Sequence, residues 1–342
     1  MSKSVVHILS TGSIGGAERL VVDVAERQKK LGWTVLYISP EGPIHSYIDD
    51  AGLDHLSMDV SNIRELRKVL KRKKPDIVHA HDFKAAVLSV LSVPFYTIIA
   101  HIHHSPAWQR KLSLGSFLFL VVSFFIRNII YVSPDAEREF FFRRLIHKKS
   151  IVVQNGVNVE KIRELSNFDT KITNTNYDVV FLGRLEEVKN PLRFIEIIKL
   201  ISKKIPDVKS IIIGDGKLRE VCQRAVMTTG LSSNVTFAGE VMNPYPYLRN
   251  SRVLLSTSNL DAFGLVIIEG AALDVFPVGP DITGMSQTIR TIGGSVYHSN
   301  FEASKIVVDY LNGQHLFSVS NRKIQEFSIS NTVRKIMAVY NI

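Results

Sequence analysis

The chain has 342 residues, more than one hydrophobic core usually holds, so two domains of about 150 residues each are expected. An apolar content of 45% and a charged content of 22% are those of globular domains and exclude a largely disordered chain. A lone cysteine, Cys222, excludes an intramolecular disulfide and a multi-cysteine zinc site, and a formal charge of +10 suits an anionic partner or surface.

Short β-branched runs at residues 5–9, 35–38, 77–79, 96–100, 129–132 and 151–153 alternate with helical patterns, the mark of parallel α/β units. Between the first two runs, Leu20, Val21, Val24 and Leu31 fall at helical spacing and Gly32 supplies a stop signal. A doubly wound sheet is therefore expected. The first run, residues 5–9, is too short and too weakly flanked for a secretory apolar region, so a cytoplasmic location is expected.

The first run opens into a glycine-rich turn, residues 11–19, in which Gly15 and Gly16 let backbone amides approach a phosphate or a sugar hydroxyl. The spacing does not match the dinucleotide fingerprint, and a plain tight turn explains the glycines equally well. Further on, Lys71-Arg72-Lys73-Lys74 is either a solvated helix end or a patch for membrane phosphates or an acidic lipid-linked substrate. No nucleic-acid module is recognisable, so no nucleic-acid partner is expected.

His79 and His81 close one run, and His101, His103 and His104 close the next. Such clustering can mark a metal. Without H-E-x-x-H or a D-x-D pair no metal is expected, and strand-end histidines that hydrogen-bond a polar substrate fit better. Residues 114–126 are apolar almost throughout but number only about 13, short of the ~20 that span a bilayer. They read as a buried helix or as an exposed patch that rests on a membrane surface.

A polar stretch at 167–176 reads as a linker, after which a second series of strands is expected at 179–182, 210–213, 235–238, 253–256 and 276–278. Ligands of such sheets bind at the carboxyl ends of the strands, so two halves facing one another would form an interdomain cleft. In the turn at 183–191, Asn190 can cap the next helix with Pro191 at its first turn, and Arg184 and Lys189 form a cradle for a diphosphate or are merely exposed. Gly214-Asp215-Gly216 reads as a structural turn, because Arg219 stands where a dinucleotide site needs glycine. In residues 256–270 one acid, Glu269, lies on an apolar helix and needs a partner, either ribose hydroxyls or a buried arginine or backbone amides. G-x-S-x-G and Walker patterns are both lacking, which argues against a serine hydrolase or a P-loop enzyme.

Taken in order, these pieces resemble glycosyltransferase family 4, retaining enzymes with the GT-B fold. The likeness rests on residues 15–19, 76–81, 100–103, Asn155-Gly156-Val157, Gly183-Arg184-Leu185 with Lys189, Gly214-Asp215-Gly216, and Phe263-Gly264-Leu265-Val266 leading to Glu269. It implies two facing Rossmann-like domains with a cleft between them: an acceptor-binding domain at 1–165 and a nucleotide-sugar-binding domain at 166–325. A C-terminal helix at about 326–342 can pack back on the first.

The resemblance also implies roles. Arg184 and Lys189 bind the donor diphosphate, Glu269 holds the ribose, amides near Leu265 and Val266 assist at the phosphates, and Gly15 and Gly16 line the opposite side. His103, or His101 if the register differs by two, meets the transferred sugar. The chain departs from the family at Asp261, where the family usually has Glu, and in the loop after Glu269.

The implied activity is metal-independent transfer, with retention, of a hexose or N-acetylhexosamine from a nucleotide-sugar, a UDP-sugar above all, to a glycan or lipid-linked glycan acceptor. The setting is O-antigen, capsule or exopolysaccharide synthesis at the inner face of the cell membrane, with no cofactor. The competing functions are a nucleotide-sugar epimerase on the same fold and a non-catalytic nucleotide-sugar binder.

Overall fold

The computed structural model describes residues 3–103, 106–168, 175–261 and 263–340. His104 and most of the expected linker lie outside the described residues. Contacts divide the chain into two compact units, residues 1–157 with 327–342, and residues 158–326. The division falls before the helix Val159–Leu165, because Arg163 of that helix donates to the Ala272 carbonyl in the second unit.

Among the described residues the first unit has seven strands: β1 (Ser4–Ile8), β2 (Thr34–Ser39), β3 (Asp54–Ser57), β4 (Ile77–Ala80), β5 (Ile98–Ile102), β6 (Asn128–Tyr131) and β7 (Ser150–Val152). They form one parallel sheet in the order β3-β2-β1-β4-β5-β6-β7. Its winding reverses between β1 and β4, the place where doubly wound sheets open for ligands. The edge strand β3 escaped sequence reading because its Asp-His-Leu-Ser is half exposed and lacks a β-branched run.

Alternation along the strands sends Val6, Ile8, Val78, Ala80, Ile98 and Ile102 to one face, under the helices Ile63–Lys73, Phe83–Ser92 and Leu114–Ser123. Val5, Ile77 and Ile99 pack on the other face with the helices Gly16–Lys30 and Ile329–Tyr340. The C-terminal helix belongs here because Ile329, Val333, Ile336 and Val339 make one apolar stripe, fully buried in that core. Its start is tied to β-bridge hydrogen bonds, Val157 N to Phe327 O at 2.8 Å and Ile329 N to Val157 O at 2.9 Å. Gly156 permits that approach, since a Cβ there would lie 2.5 Å from Thr332 Oγ1 and 2.7 Å from Ser328 O.

The helix Leu114–Ser123 is closed at its start by a capping box of Ser113 and Ser116. At its end Lys149 Nζ donates to three carbonyls, Ser123 at 3.0 Å, Phe124 at 3.1 Å and Ile126 at 2.9 Å. It is not wholly buried. Phe119, Leu120 and Val122 enter the core, whereas Leu114, Phe117, Leu118 and Val121 are exposed, as are Leu112, Phe124 and Phe125. Among the described residues no helix is long and apolar enough to cross a membrane.

Among the described residues the second unit has six strands: β8 (Tyr177–Leu182), β9 (Ser210–Ile213), β10 (Val235–Gly239), β11 (Ser251–Leu255), β12 (Phe276–Pro280) and β13 (Ser295–Tyr297). They too are all parallel, in the order β10-β9-β8-β11-β12-β13, with the reversal between β8 and β11. Val179, Phe181, Ile212, Val253, Leu255 and Val278 form its core with the helices Pro191–Ser202 and Asn300–Leu311.

Candidate functional site

In the second unit the loops leaving β8 and β11 meet, because the reversal of winding puts those two strands side by side. The β8 loop is shaped first by its neighbour. Gly183 N bonds Ile213 O at 3.0 Å, Leu185 N bonds Asp215 O at 2.8 Å, and Leu218 N bonds Leu185 O at 2.9 Å. Gly214 and Gly216 lie at φ of +129° and +155°, and a Cβ on Gly216 would come within 2.6 Å of Leu185 O. The Gly-Asp-Gly turn is thus the floor on which Arg184 and Leu185 rest. The Gly216 amide and the ion-paired Arg219 hold the Asp215 carboxyl below its ordinary pKa.

Asn190, at φ +49°, caps the helix Pro191–Ser202 by accepting from Arg193 N at 3.2 Å. It also donates to Asn259 at 3.1 Å. Thr257 Oγ1 donates to the carbonyls of Lys189 and Asn190, and Asn259 Nδ2 to that of Glu187. These bonds stitch the β11 loop to the β8 loop and bring Lys189 Nζ to 2.6 Å from Asp261 Oδ2. The other oxygen, Oδ1, accepts the amides of Phe263 at 3.1 Å and Gly264 at 2.7 Å, so Asp261 ends the loop and starts the helix Leu265–Ala271. Gly264 at φ +77° makes the turn.

Arg184 lies beside Lys189 in the loop, its side chain 68% exposed and only loosely paired with Glu186 at 3.4 Å. Glu269, on the helix that Asp261 starts, is half-buried and accepts from Tyr245 OH at 3.2 Å. Leu265 and Val266 occupy the first turn of that helix and are half-buried. The second unit therefore brings Lys189 and Asp261 into contact and places Arg184, Leu265, Val266 and Glu269 on the elements around them. Tyr245, the partner of Glu269, was missed in the sequence because nothing near it in the chain signals a site.

The first unit holds Gly15, Gly16 and His103. Gly15 caps the helix Gly16–Lys30 with an extended φ of −141°, and Arg19 N returns to its carbonyl at 3.1 Å. His103 follows β5. With His7, His79, His81 and His101 it forms a buried row on one sheet face, the period of two having sent all five to the same side. His7 Nδ1 lies 2.8 Å from His81 Nε2, and His81 Nδ1 lies 3.1 Å from His103 Nε2. Gln28 holds His7 at 2.7 Å, and Tyr340 holds His79 at 2.6 Å.

Burial lowers the pKa of His7 to about 4 and holds His79, His81 and His101 well below the ordinary imidazole value, so these four rings are neutral at pH 7. The triads His7-His79-His81 and His81-His101-His103 each have ligand nitrogens within 4.8 Å, but imidazole-to-imidazole hydrogen bonds already join two of these pairs. His7, Gln28 and Tyr340 were not singled out in the sequence. His7 was legible by its parity with Val5, while Gln28 and Tyr340 enter only through packing.

Two family models divide the chain between them: Glycosyltransferase Family 4 matches residues 14–161, and Glycosyl transferases group 1 matches residues 162–309. The chain belongs to glycosyltransferase family 4. Among curated relatives of this family 4 glycosyltransferase is the capsular polysaccharide biosynthesis glycosyltransferase CapH of Staphylococcus aureus, 24% identical over 285 residues, 78% of either chain. Another is the UDP-Gal:alpha-D-GlcNAc-diphosphoundecaprenol alpha-1,3-galactosyltransferase of Escherichia coli, 23% identical over 99% of this chain and 93% of that one. Among solved structures, Anabaena HepE in complex with UDP superposes with a TM-score of 0.85 at 15% identity, all of each chain being covered. At that identity the likeness establishes the fold, which is GT-B with two Rossmann-like units.

Proposed function

We propose that this family 4 glycosyltransferase moves a hexose or N-acetylhexosamine, with retention, from a UDP-sugar to a polyprenyl-diphosphate-linked glycan in O-antigen, capsule or exopolysaccharide assembly. The observation that carries the reading is the pair of cations on the β8 loop. Arg184 is exposed, and Lys189 is held in place by Asp261, which starts the helix that carries the half-buried Glu269. A diphosphate leaving group gains negative charge as its bond to the sugar breaks, and preorganised cations stabilise that charge most where water is thin.

In this reading Arg184 and Lys189 hold the diphosphate, the amides of Leu265 and Val266 add donors, and Glu269 accepts from the ribose hydroxyls. Asp261 positions Lys189 and the start of the helix. Gly15, Gly16 and His103 belong to the acceptor-binding unit, with His103 meeting the transferred sugar. The bond from the sugar's C1 to the diphosphate oxygen breaks, and a bond from C1 to the acceptor oxygen forms on the same face. The acceptor's proton passes to a phosphate oxygen. These steps draw on protein cations and call for no metal.

CapH and the galactosyltransferase support the setting, since their names place them in capsule synthesis and on a diphosphoundecaprenol acceptor. The UDP in HepE supports the base. The exposed stripe of Leu114, Phe117, Leu118 and Val121, flanked by exposed Arg110, Lys111 and Arg127, supports rest on the anionic inner face of the cell membrane.

The test is incubation of UDP-, GDP- and dTDP-sugars with and without a lipid-linked acceptor. Acceptor-dependent transfer from a UDP-sugar, with the product anomer matching the donor, is expected. A sugar converted without acceptor would indicate an epimerase. Binding without turnover across the donor panel would indicate a non-catalytic module.

A further inference from the structure

The row of imidazoles behind His103 has no part in the steps above, yet it is buried, continuous and anchored at its inner end. Neighbouring ring centroids lie 4.0 to 5.5 Å apart. One thread of hydrogen bonds runs through it, Gln28 Oε1 to His7 Nε2, His7 Nδ1 to His81 Nε2, and His81 Nδ1 to His103 Nε2, at 2.7, 2.8 and 3.1 Å.

A neutral imidazole carries one N–H and one lone pair, so the direction of any bond in the thread dictates the next. The direction is set at Gln28. Its Nε2 donates to Tyr340 OH at 3.2 Å, which turns its carbonyl oxygen toward His7. His7 must then carry hydrogen on Nε2 and a lone pair on Nδ1. The same holds for His81, and His103 then carries hydrogen on the Nε2 that faces His81. Burial keeps His7 and His81 uncharged at neutral pH, so no second proton blurs this order.

We propose that Gln28, His7 and His81 are positioning residues that fix His103 as its Nε2–H tautomer, with Nδ1 as a hydrogen-bond acceptor that selects a transferred sugar offering a hydroxyl hydrogen. The selection rests on the reading of His103 as the residue that meets the sugar; the tautomer does not. A carboxylate, which only accepts, is rejected by a lone pair, so a UDP-uronate is a poor donor beside the corresponding UDP-hexose.

The experiment uses the full chain with ¹⁵N-labelled histidine, read by long-range ¹⁵N–¹H correlation at pH 7 and assigned with His103→Asn. The Nε2–H pattern is expected for His7, His81 and His103, unchanged by EDTA. In Gln28→Met the His103 pattern should become mixed, and the preference for hexose over uronate should fall at least about tenfold. An Nδ1–H pattern at His103 in the native chain overturns the proposal, and so does an EDTA-dependent shift, which would mean that a metal joins the rings. If Gln28→Met does not fold, the native spectrum decides alone. Normal transfer by His103→Ala, with the tautomer as stated, removes the selective role and the sugar-contact reading together while the relay stands.

Discussion

Lys189 and Asp261, 72 positions apart in the chain, meet at 2.6 Å through Nζ and Oδ2, where the loops of β8 and β11 come together. The pair does two things at once. It orients the one cation of the loop that is three-quarters buried, and it ties that cation to the start of the helix carrying Glu269. Removing Lys189 or Arg184 should therefore affect turnover more than folding. Lys189→Ala and Arg184→Ala are each expected to cut transfer by about 10²-fold or more. Near-normal rates in both would move the donor site elsewhere.

Asp261 is a different case, because its carboxylate also accepts two backbone amides. Asp261→Ala leaves those amides and a partly buried ammonium without an acceptor and should cost about 1–3 kcal/mol of stability. A lowered urea midpoint measures it. Asp261→Asn keeps the amide acceptor and should recover most of the loss.

Gly214 stands at φ +129° with its α-carbon against the Gly183 carbonyl, under the loop that bears Arg184. Gly214→Ala forces a side chain into that carbonyl from a strained backbone, at a cost of about 1–3 kcal/mol or more. The loop should shift, so the Michaelis constant for the donor should rise while that for the acceptor holds.

Four neutral histidines of the row, His7, His79, His81 and His101, make stability depend on pH in a stated direction. Burial lowers His7 from 6.5 to about 4, and His79, His81 and His101 are lowered well below 6.5. A group with a depressed folded-state pKa contributes stability that is fully present above its unfolded value. That stability is lost as pH falls from about 6.5 toward 4, while the unfolded chain takes up protons that the folded chain refuses. Each such histidine adds a slope of up to about 1.4 kcal/mol per pH unit in that window. Urea midpoints that stay flat between pH 7 and pH 5 would contradict the four buried, uncharged rings.

The exposed stripe of the helix Leu114–Ser123 should bind anionic vesicles at low salt, and Phe117→Ser combined with Phe124→Ser should weaken flotation at least about fivefold. Lys149→Met removes the donor to three carbonyls at the end of that helix. It should cost about 1–2 kcal/mol and open residues 121–127 to protease.

Much of this protein was legible in the chain itself. β-branched runs announced all strands except β3 and β13, because a strand buried on both faces must be apolar throughout, whereas an edge strand need not be. Asn190 and Pro191 announced the helix they cap, since capping is a local bond between near neighbours. The order of motifs pointed to the family, and Arg184, Lys189 and Glu269 stood out as charges on otherwise apolar or turn-forming segments.

Only the tertiary structure decided who faces whom. The Lys189–Asp261 pair, the Tyr245–Glu269 hydrogen bond and the thread from Gln28 through His7 to His103 each join residues on separate elements. Their meeting depends on the winding order of a sheet and the seat of a helix. The helix at 114–123 makes the same point, because its apolar sequence fits burial on every side, and only packing determined that one face stays bare. Periodicity and capping act over a few residues and can be read in order along the chain. Partnership across strands is a property of the closed core and appears only when the chain has folded.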